Sequence, residues 1–113
     1  RYQTIFNSGL TGIHFLKIQA RIYPKGDLAA HILGNVSKDG EGLAGIEWQF
    51  DTALKSSKNP VKLTIDSNIQ YILQSEIKKQ IDFFDADAGA GVVLNIQSGE
   101  VLGLSSFPSF DVN

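Results

Sequence analysis

Apolar and polar positions alternate in the second half of residues 12–23, GIHFLKIQARIY. One side carries Ile18, Ala20 and Ile22, and the other carries Lys17, Gln19 and Arg21. A period of two predicts a β-strand with Arg21 on its polar face. The adjacent apolar residues Phe15 and Leu16 break the alternation and indicate a β-bulge.

A turn and a short helix are predicted next, within RIYPKGDLAAHILGNV. Pro24 and Gly26 end the strand, because proline lacks a backbone donor and both residues favour turns. Asp27 is expected to cap the helix, which Gly34 then terminates.

A second helix is predicted after the polar turn SKDGEG, residues 37–42. Its apolar stripe consists of Leu43, Ile46, Phe50 and Leu54. Glu47 lies beside this stripe in the first turns, where the helix dipole favours a carboxylate. The polar stretch SSKNP, residues 56–60, predicts a linker.

The clearest periodicity lies in the second half of the chain. VKLTI, residues 61–65, alternates and predicts a strand. A long amphipathic helix is predicted from Ser67, which would form an S-x-x-Q capping box with Gln70. Its apolar face consists of Ile69, Ile72, Leu73, Ile77, Ile81 and Phe84. The helix is expected to end within DADAG, residues 85–89.

Two apolar runs, residues 91–96 and 101–106, flank QSGE and predict a β-hairpin. Gly99 supplies the positive φ that a short loop needs. FPSFDVN is then expected to leave the sheet as irregular chain. Together the elements predict an α+β fold with small mixed sheet regions, short helices, one long amphipathic helix and a β-hairpin.

Composition narrows the classes of function. The 113 residues, 42% hydrophobic and 19% charged, fit one domain, or one domain and part of another. A net charge of −2 argues against nucleic acid as a partner, and the lack of cysteine excludes disulfides and thiolate ligands. No apolar run approaches the roughly 20 residues of a membrane helix, so any anchor of a parent protein is expected outside the chain.

One S-x-x-K sequence, Ser75 to Lys78, has the spacing that penicillin-recognising acyl enzymes use. It lies in the middle of the predicted long helix, whereas such a nucleophile needs an exposed helix start with oxyanion donors nearby. No S-x-N or K-T-G follows it, and KDG at residues 38–40 precedes it in a turn. We therefore interpret this pair as helix surface.

Metal and cofactor sites have weak support. His14 and His31 lack carboxylates at ligand spacing, so each is interpreted as structural or solvent-facing. Asp85 and Asp87 form a D-x-D that more often ends a helix than binds a cation. GEGLAG, residues 40–45, has G-x-G-x-x-G spacing but follows a turn instead of a strand. We expect no metal and no cofactor.

Arg21 and Glu47 are the charged residues most closely surrounded by apolar positions. Spacing alone leaves two alternatives open, a partly buried Arg–carboxylate bridge or two solvated charges. If the bridge is buried, Arg21→Ala would cost roughly 2–4 kcal/mol, because it leaves Glu47 without its partner.

Four segments in order resemble the class B penicillin-binding proteins, the transpeptidases that cross-link peptidoglycan. RIYPKGDLAAHILGNV resembles the R-x-Y-P-x-G motif, with Tyr23, Pro24 and Gly26 in the motif positions. DGEGLAGIEWQFD resembles G-x-x-G-x-E, with Gly42, Gly45 and Glu47. LTIDSNIQ, with Asp66, resembles the family's strand-to-helix entry, and AGAGVVLNIQSGEVLGLSSFPSFDVN resembles the strand pair that opens its transpeptidase domain.

The resemblance implies that residues 1–60 are part of an N-terminal pedestal, or dimerisation-type, domain and residues 61–113 the start of the transpeptidase domain. It implies that Arg21 and Glu47 form a structural clamp. It also implies a periplasmic parent, anchored in the inner membrane by a segment outside the chain and working with other cell-wall and division proteins. Peptidoglycan and β-lactams would be bound only by the remainder of the parent.

Three departures from the family pattern bear on these expectations. R-G-x-x-x-D-R is absent, only TALKSSKNPVK separates GIEWQFD from LTID, and F-D-P-N is written FDVN. The nucleophilic serine is expected after residue 113, so the chain itself is predicted to be non-catalytic. The short spacing after HILG favours the division type over the elongation type. The alternative is a stand-alone interaction module, which an intact 113-residue reading frame would favour.

Overall fold

The computed structural model describes residues 20–57 and 59–113. Its elements, in chain order, are α1 (Ala30–Leu33), α2 (Gly45–Gln49), α3 (Asp51–Ser56), α4 (Ser67–Phe84), β1 (Gly89–Leu94) and β2 (Val101–Phe107). Short helices, one long helix and an antiparallel hairpin confirm the α+β class. The predicted strand over residues 12–19, its bulge at Phe15 and Leu16, and His14 lie outside the described residues.

The long helix α4 packs on the face of the hairpin that carries glycines. Four apolar side chains of α4 reach this face: Ile69, Leu73, Ile77 and Ile81. A methyl group added at Gly91 would lie 2.9 Å from Ile77 Cδ1, and one added at Gly89 would lie 3.0 Å from Ile81 Cδ1. The missing side chains on β1 therefore let the helix approach the sheet closely.

The apolar face of α4 is narrower than the predicted one. Ile72 and Phe84 were expected on that face, but they are 58% and 69% exposed. A hairpin of two strands is too narrow to cover the whole stripe, so these positions remain uncovered by the described residues. The helix ends at Asp85, which adopts a left-handed conformation with φ 50°, inside the predicted DADAG.

The predicted capping box at the start of α4 is wrong. Asp66 is the N-cap, and its Oδ1 accepts hydrogen bonds from the backbone N–H groups of Asn68 and Ile69 at 2.8 and 3.0 Å. These bonds hold the pKa of the Asp66 carboxyl below its usual range. Gln70 cannot serve as the reciprocal partner because its side chain is only 1% exposed and is engaged by β2.

The hairpin is antiparallel, with Gly89 opposite Phe107 and Val92 opposite Leu104. The register shifts between Val93 and Leu94, which leaves Leu102 as an extra residue on β2. In the connecting loop Asn95 Oδ1 accepts from the backbone N–H of Gln97 at 3.0 Å. Gly99 has φ 76°, as the sequence predicted.

Residues 61–65 do not form the predicted strand. Instead, the segment closes the open edge of β2 with single hydrogen bonds. Thr64 Oγ1 donates to the Val101 carbonyl at 2.7 Å, and the Asp66 N–H donates to the Leu102 carbonyl at 2.9 Å. One side-chain bond and one backbone bond here replace a regular ladder, and they shield an edge that would otherwise be open to another strand.

The predicted helix over residues 43–54 is split at Phe50, which has φ −109° and ψ 18°. The break lets Asp51 Oδ1 accept from the Gly42 N–H at 2.9 Å. The hydrogen bond from Lys55, and after it the bond from the Gly42 N–H, hold the pKa of the Asp51 carboxyl below its usual range.

Two expectations for residues 20–34 are also corrected. Asp27 does not cap α1; Ala29 occupies that position with φ 61°, while Asp27 Oδ2 accepts from Gln74 Nε2 at 3.0 Å. Residues 20–23 form no strand with any described segment. The backbone of Tyr23 is bonded to an asparagine side chain instead of a neighbouring strand. Within the described residues, no helix is long and apolar enough to cross a membrane.

Candidate functional site

Arg21, Tyr23 and Glu47 meet in one hydrogen-bonded group, which we call the Glu47 cluster. Arg21 Nε donates to Glu47 Oε1 at 2.8 Å, and the Tyr23 hydroxyl donates to the same oxygen at 3.2 Å. The Glu47 side chain is 8% exposed and that of Arg21 is 45% exposed. The structure thus shows a partly buried ion pair, while its role as a clamp stays a prediction.

Tyr23 forms the buried side of the cluster, since it is only 8% exposed. Burial raises the pKa of its phenol, and the adjacent Glu47 carboxylate raises that pKa further. The neutral phenol is therefore the form that the folded protein favours. It supplies Glu47 with a second donor on the side away from solvent, which reduces the cost of burying the carboxylate.

The motif glycines explain how Glu47 reaches this position. A methyl group at Gly45 would lie 2.5 Å from the Ile32 carbonyl oxygen, and one at Gly42 would overlap the Glu47 carbonyl oxygen. The backbone at the end of α1 and the backbone at the start of α2 are therefore in direct contact. A side chain at either glycine would displace α2, and the position of Glu47 on that helix would change with it.

The other motif residues fall into two groups. Pro24 and Gly26 build the turn that presents Tyr23, and the Gly26 N–H donates to the Tyr23 carbonyl at 3.0 Å. Gly26 has φ 60° in this turn. Asp66 lies apart from the cluster, at the start of α4, where it acts as the N-cap. The six motif positions therefore do not converge on one site.

The sequence reasoning missed Asn113, the last residue of FDVN. Asn113 Oδ1 accepts from the Tyr23 N–H at 2.9 Å, and Asn113 Nδ2 donates to the Tyr23 carbonyl at 3.3 Å. A single asparagine in a segment without periodicity offers no pattern that could reveal such a contact. After Phe107 the segment leaves the sheet as irregular chain, as predicted, and it then returns to the turn that carries the cluster.

The residues considered for catalysis have other contacts. Ser75 Oγ donates to the Ile72 carbonyl at 2.8 Å, within its own helix. The ring of His31 stands edge-on to Phe110, with ring centroids 5.0 Å apart. In the described part of the chain, no group of three His, Asp or Glu side chains could hold a metal ion. The geometry around Ser75 is that of a helix surface.

Comparison with known proteins gives consistent matches. A sequence family described as "Penicillin-binding Protein dimerisation domain" matches residues 4–83. The probable peptidoglycan D,D-transpeptidase FtsI of Caulobacter vibrioides is 38% identical over 113 residues, which cover 96% of this chain and 19% of that protein. The chain spans about a fifth of the length of the curated relatives it matches.

Solved structures agree with these matches. Penicillin-binding protein 3 of Mycobacterium tuberculosis is similar with a TM-score of 0.74 and 32% identity, over 82% of this chain and 23% of that one. A peptidoglycan synthetase of Bifidobacterium adolescentis gives a TM-score of 0.77 over 98% of this chain and 26% of that one. At 24% identity, the second likeness concerns the fold alone.

Proposed function

The chain belongs to the penicillin-binding protein dimerisation domain family, and from this we propose that it is a non-catalytic part of a division-type peptidoglycan D,D-transpeptidase. The observation that carries the proposal is the family match over residues 4–83, supported by the FtsI relative at 38% identity. The role proposed for the chain is to hold the pedestal together and to position the transpeptidase domain.

The Glu47 cluster supports the first half of this role. Arg21 and Glu47 are 26 positions apart in the chain, yet their side chains share a hydrogen bond beneath which Tyr23 is buried. A charge-assisted bond of this kind fixes both distance and orientation between the segments it joins. We therefore assign Arg21 and Glu47 as the clamp of the pedestal.

The hairpin supports the second part of the proposed role, which is to position the transpeptidase domain. One of its faces is occupied by α4, while the opposite face presents the cross-strand pair Val92 and Leu104 together with Leu94. These three side chains are 54%, 37% and 53% exposed. A two-stranded sheet with an uncovered apolar face needs further packing for stability. The remainder of the transpeptidase domain is the partner we propose for this face.

The proposed division of the chain places residues 1–60 in the pedestal and residues 61–113 at the start of the transpeptidase domain. Residues 57, 59 and 60, which follow the end of α3, are exposed, as a linker requires. The family match extends across this boundary into α4. We place the parent on the periplasmic side of a bacterial inner membrane, anchored by a segment outside these residues and in contact with other proteins of division.

The parent's reaction would be acyl transfer at the D-Ala-D-Ala end of a stem peptide, with a serine outside residues 1–113 as nucleophile. A fluorescent penicillin labels such a serine covalently. We expect the proposed parent transpeptidase that contains residues 1–113, called the full-length protein from here on, to be labelled. We also expect the label to survive the substitution Ser75→Ala. A label that Ser75→Ala abolishes would overturn the non-catalytic assignment. A full-length protein without any label would contradict the proposed parent activity and favour an interaction module.

A further inference from the structure

We propose that Asn113 is a positioning residue that ties the segment after β2 to the Glu47 cluster through the backbone of Tyr23. Its amide oxygen accepts from the Tyr23 N–H at 2.9 Å, and its amide nitrogen donates to the Tyr23 carbonyl at 3.3 Å. A primary amide presents a donor and an acceptor side by side, as a neighbouring strand would. Asn113 therefore occupies the place of a strand partner for this residue.

Asp111 fixes the orientation of that amide. One carboxylate oxygen, Oδ1, accepts from the Asn113 backbone N–H at 2.9 Å and from Asn113 Nδ2 at 3.1 Å. Because a carboxylate only accepts hydrogen bonds, it selects the orientation with the amide nitrogen toward itself. The amide oxygen is then left to face the Tyr23 N–H.

A second contact holds the same segment three residues earlier. Phe110 meets the ring of His31 at an interplanar angle of 79°, an arrangement favourable for aromatic pairs. His31 belongs to α1, whose C-terminal end abuts Gly45 at the start of α2. The segment thus touches both the turn before α1 and α1 itself, which sets its direction as well as its position.

These contacts make one continuous path. Asn113 holds the backbone of Tyr23, and the hydroxyl of the same residue donates to Glu47, which is also bonded to Arg21. A displacement of the segment after β2 therefore moves Tyr23 relative to Glu47. The inference rests on the proposed function only for its consequence, which is that the clamp and the transpeptidase domain are positioned together.

Hydrogen exchange of the Tyr23 amide in the full-length protein tests the contact directly. Asn113→Ala should speed this exchange about five- to tenfold, the effect of losing one hydrogen bond. Asn68→Ala, which truncates an exposed asparagine at the start of α4, is the matched control and should leave the rate unchanged. Equal Tyr23 exchange in the two variants would overturn the proposal.

Asn113→Asp separates positioning from general loss of structure. At neutral pH the new carboxylate keeps the acceptor for the Tyr23 N–H but loses the donor, and it faces Asp111, the charged group with which Asn113 is in contact. Two adjacent carboxylates raise the pKa of one of them, so the protonated acid restores a donor as the pH falls. Tyr23 protection should then recover toward that of the unmodified protein. A flat pH profile would contradict the proposal.

The exchange measurement does not depend on penicillin labelling. Fast Tyr23 exchange in Asn113→Ala, in a full-length protein that no penicillin labels, would support the contact and refute the proposed parent activity. Normal labelling with unchanged Tyr23 exchange would do the reverse. The two proposals can therefore fail separately.

Discussion

Gln70 offers the sharpest test of how α4 is joined to the hairpin. Its Nε2 donates to the Leu104 carbonyl and its Oε1 accepts from the Leu104 N–H, both at 2.8 Å. The side chain is 1% exposed. The substitution Gln70→Leu keeps about the same volume and removes both hydrogen bonds, so its effect reports mainly on the two polar groups of Leu104.

The expected cost follows from those two groups. A buried backbone group that loses its partner costs about 1–3 kcal/mol. Leu104 itself is 37% exposed, so solvent reaches this part of β2 and reduces the penalty. We expect Gln70→Leu to lower the free energy of opening the hairpin by about 2–3 kcal/mol.

Hydrogen exchange of the full-length protein measures the free energy of opening, because the Leu104 N–H is the donor in one of the two hydrogen bonds. Gln80→Leu is the matched control, since Gln80 lies on the exposed side of the same helix and should change opening by less than about 0.5 kcal/mol. A Gln70→Leu protein with Leu104 protected as in the control would refute the reasoning.

Three further predictions concern the Glu47 cluster and the helices that carry it. Arg21→Ala should lower the free energy of opening residues 43–50, measured by hydrogen exchange, by about 1–2 kcal/mol. This is less than for a fully buried pair, because the Tyr23 hydroxyl still donates to Glu47. A change in that free energy below about 0.3 kcal/mol would contradict the prediction. Gly45→Ala should lower the free energy of unfolding by about 2–4 kcal/mol, because it adds backbone strain and a clash with the Ile32 carbonyl. Gly40→Ala is the control, since Gly40 also has a positive φ but open space around it, and it should cost only about 1 kcal/mol. Equal costs for the two variants would rule out the close backbone approach at Gly45. The pKa of Tyr23 is raised in the folded state, so its stabilising contribution is complete below pH of about 10 and is lost as the pH rises through the folded pKa. Melting of the full-length protein at alkaline pH should show this loss, and Tyr23→Phe should abolish it, whereas Tyr71→Phe, at an exposed position, should not.

Elements with strong local signals were predicted well. The long helix appears in α4 with a left-handed residue at its end, and the hairpin appears with Gly99 at positive φ. The capping box failed because its two residues are equally compatible with another use. Ser67 is the first helical residue after Asp66, which takes the N-cap position itself. Gln70 finds both of its partners on Leu104, which no local pattern identifies.

The residues of the Glu47 cluster show the same difference between what local patterns predict and what only packing decides. Spacing placed Arg21 and Glu47 beside apolar stripes without deciding whether they met, and resemblance to a family favoured a pair. Tyr23 was found as a motif residue, but its burial and its hydrogen bond to the same carboxylate oxygen emerge only from the packing of α2 against the preceding turn.

By itself the sequence determined the α+β class, the presence of the long helix and of the hairpin, and the motif positions, because these depend on periodicity and local backbone preference. The predicted first strand, residues 91–96, was displaced by two residues from β1, Gly89–Leu94. The tertiary structure decided which polar groups are partners. Asn113 bonds to Tyr23 across 90 positions, and Gln70 bonds to Leu104 across 34. Such pairs form because a polar group that folding buries must find a hydrogen-bond partner wherever the chain places one. The alternation of residues along a segment does not indicate how far along the sequence that partner lies.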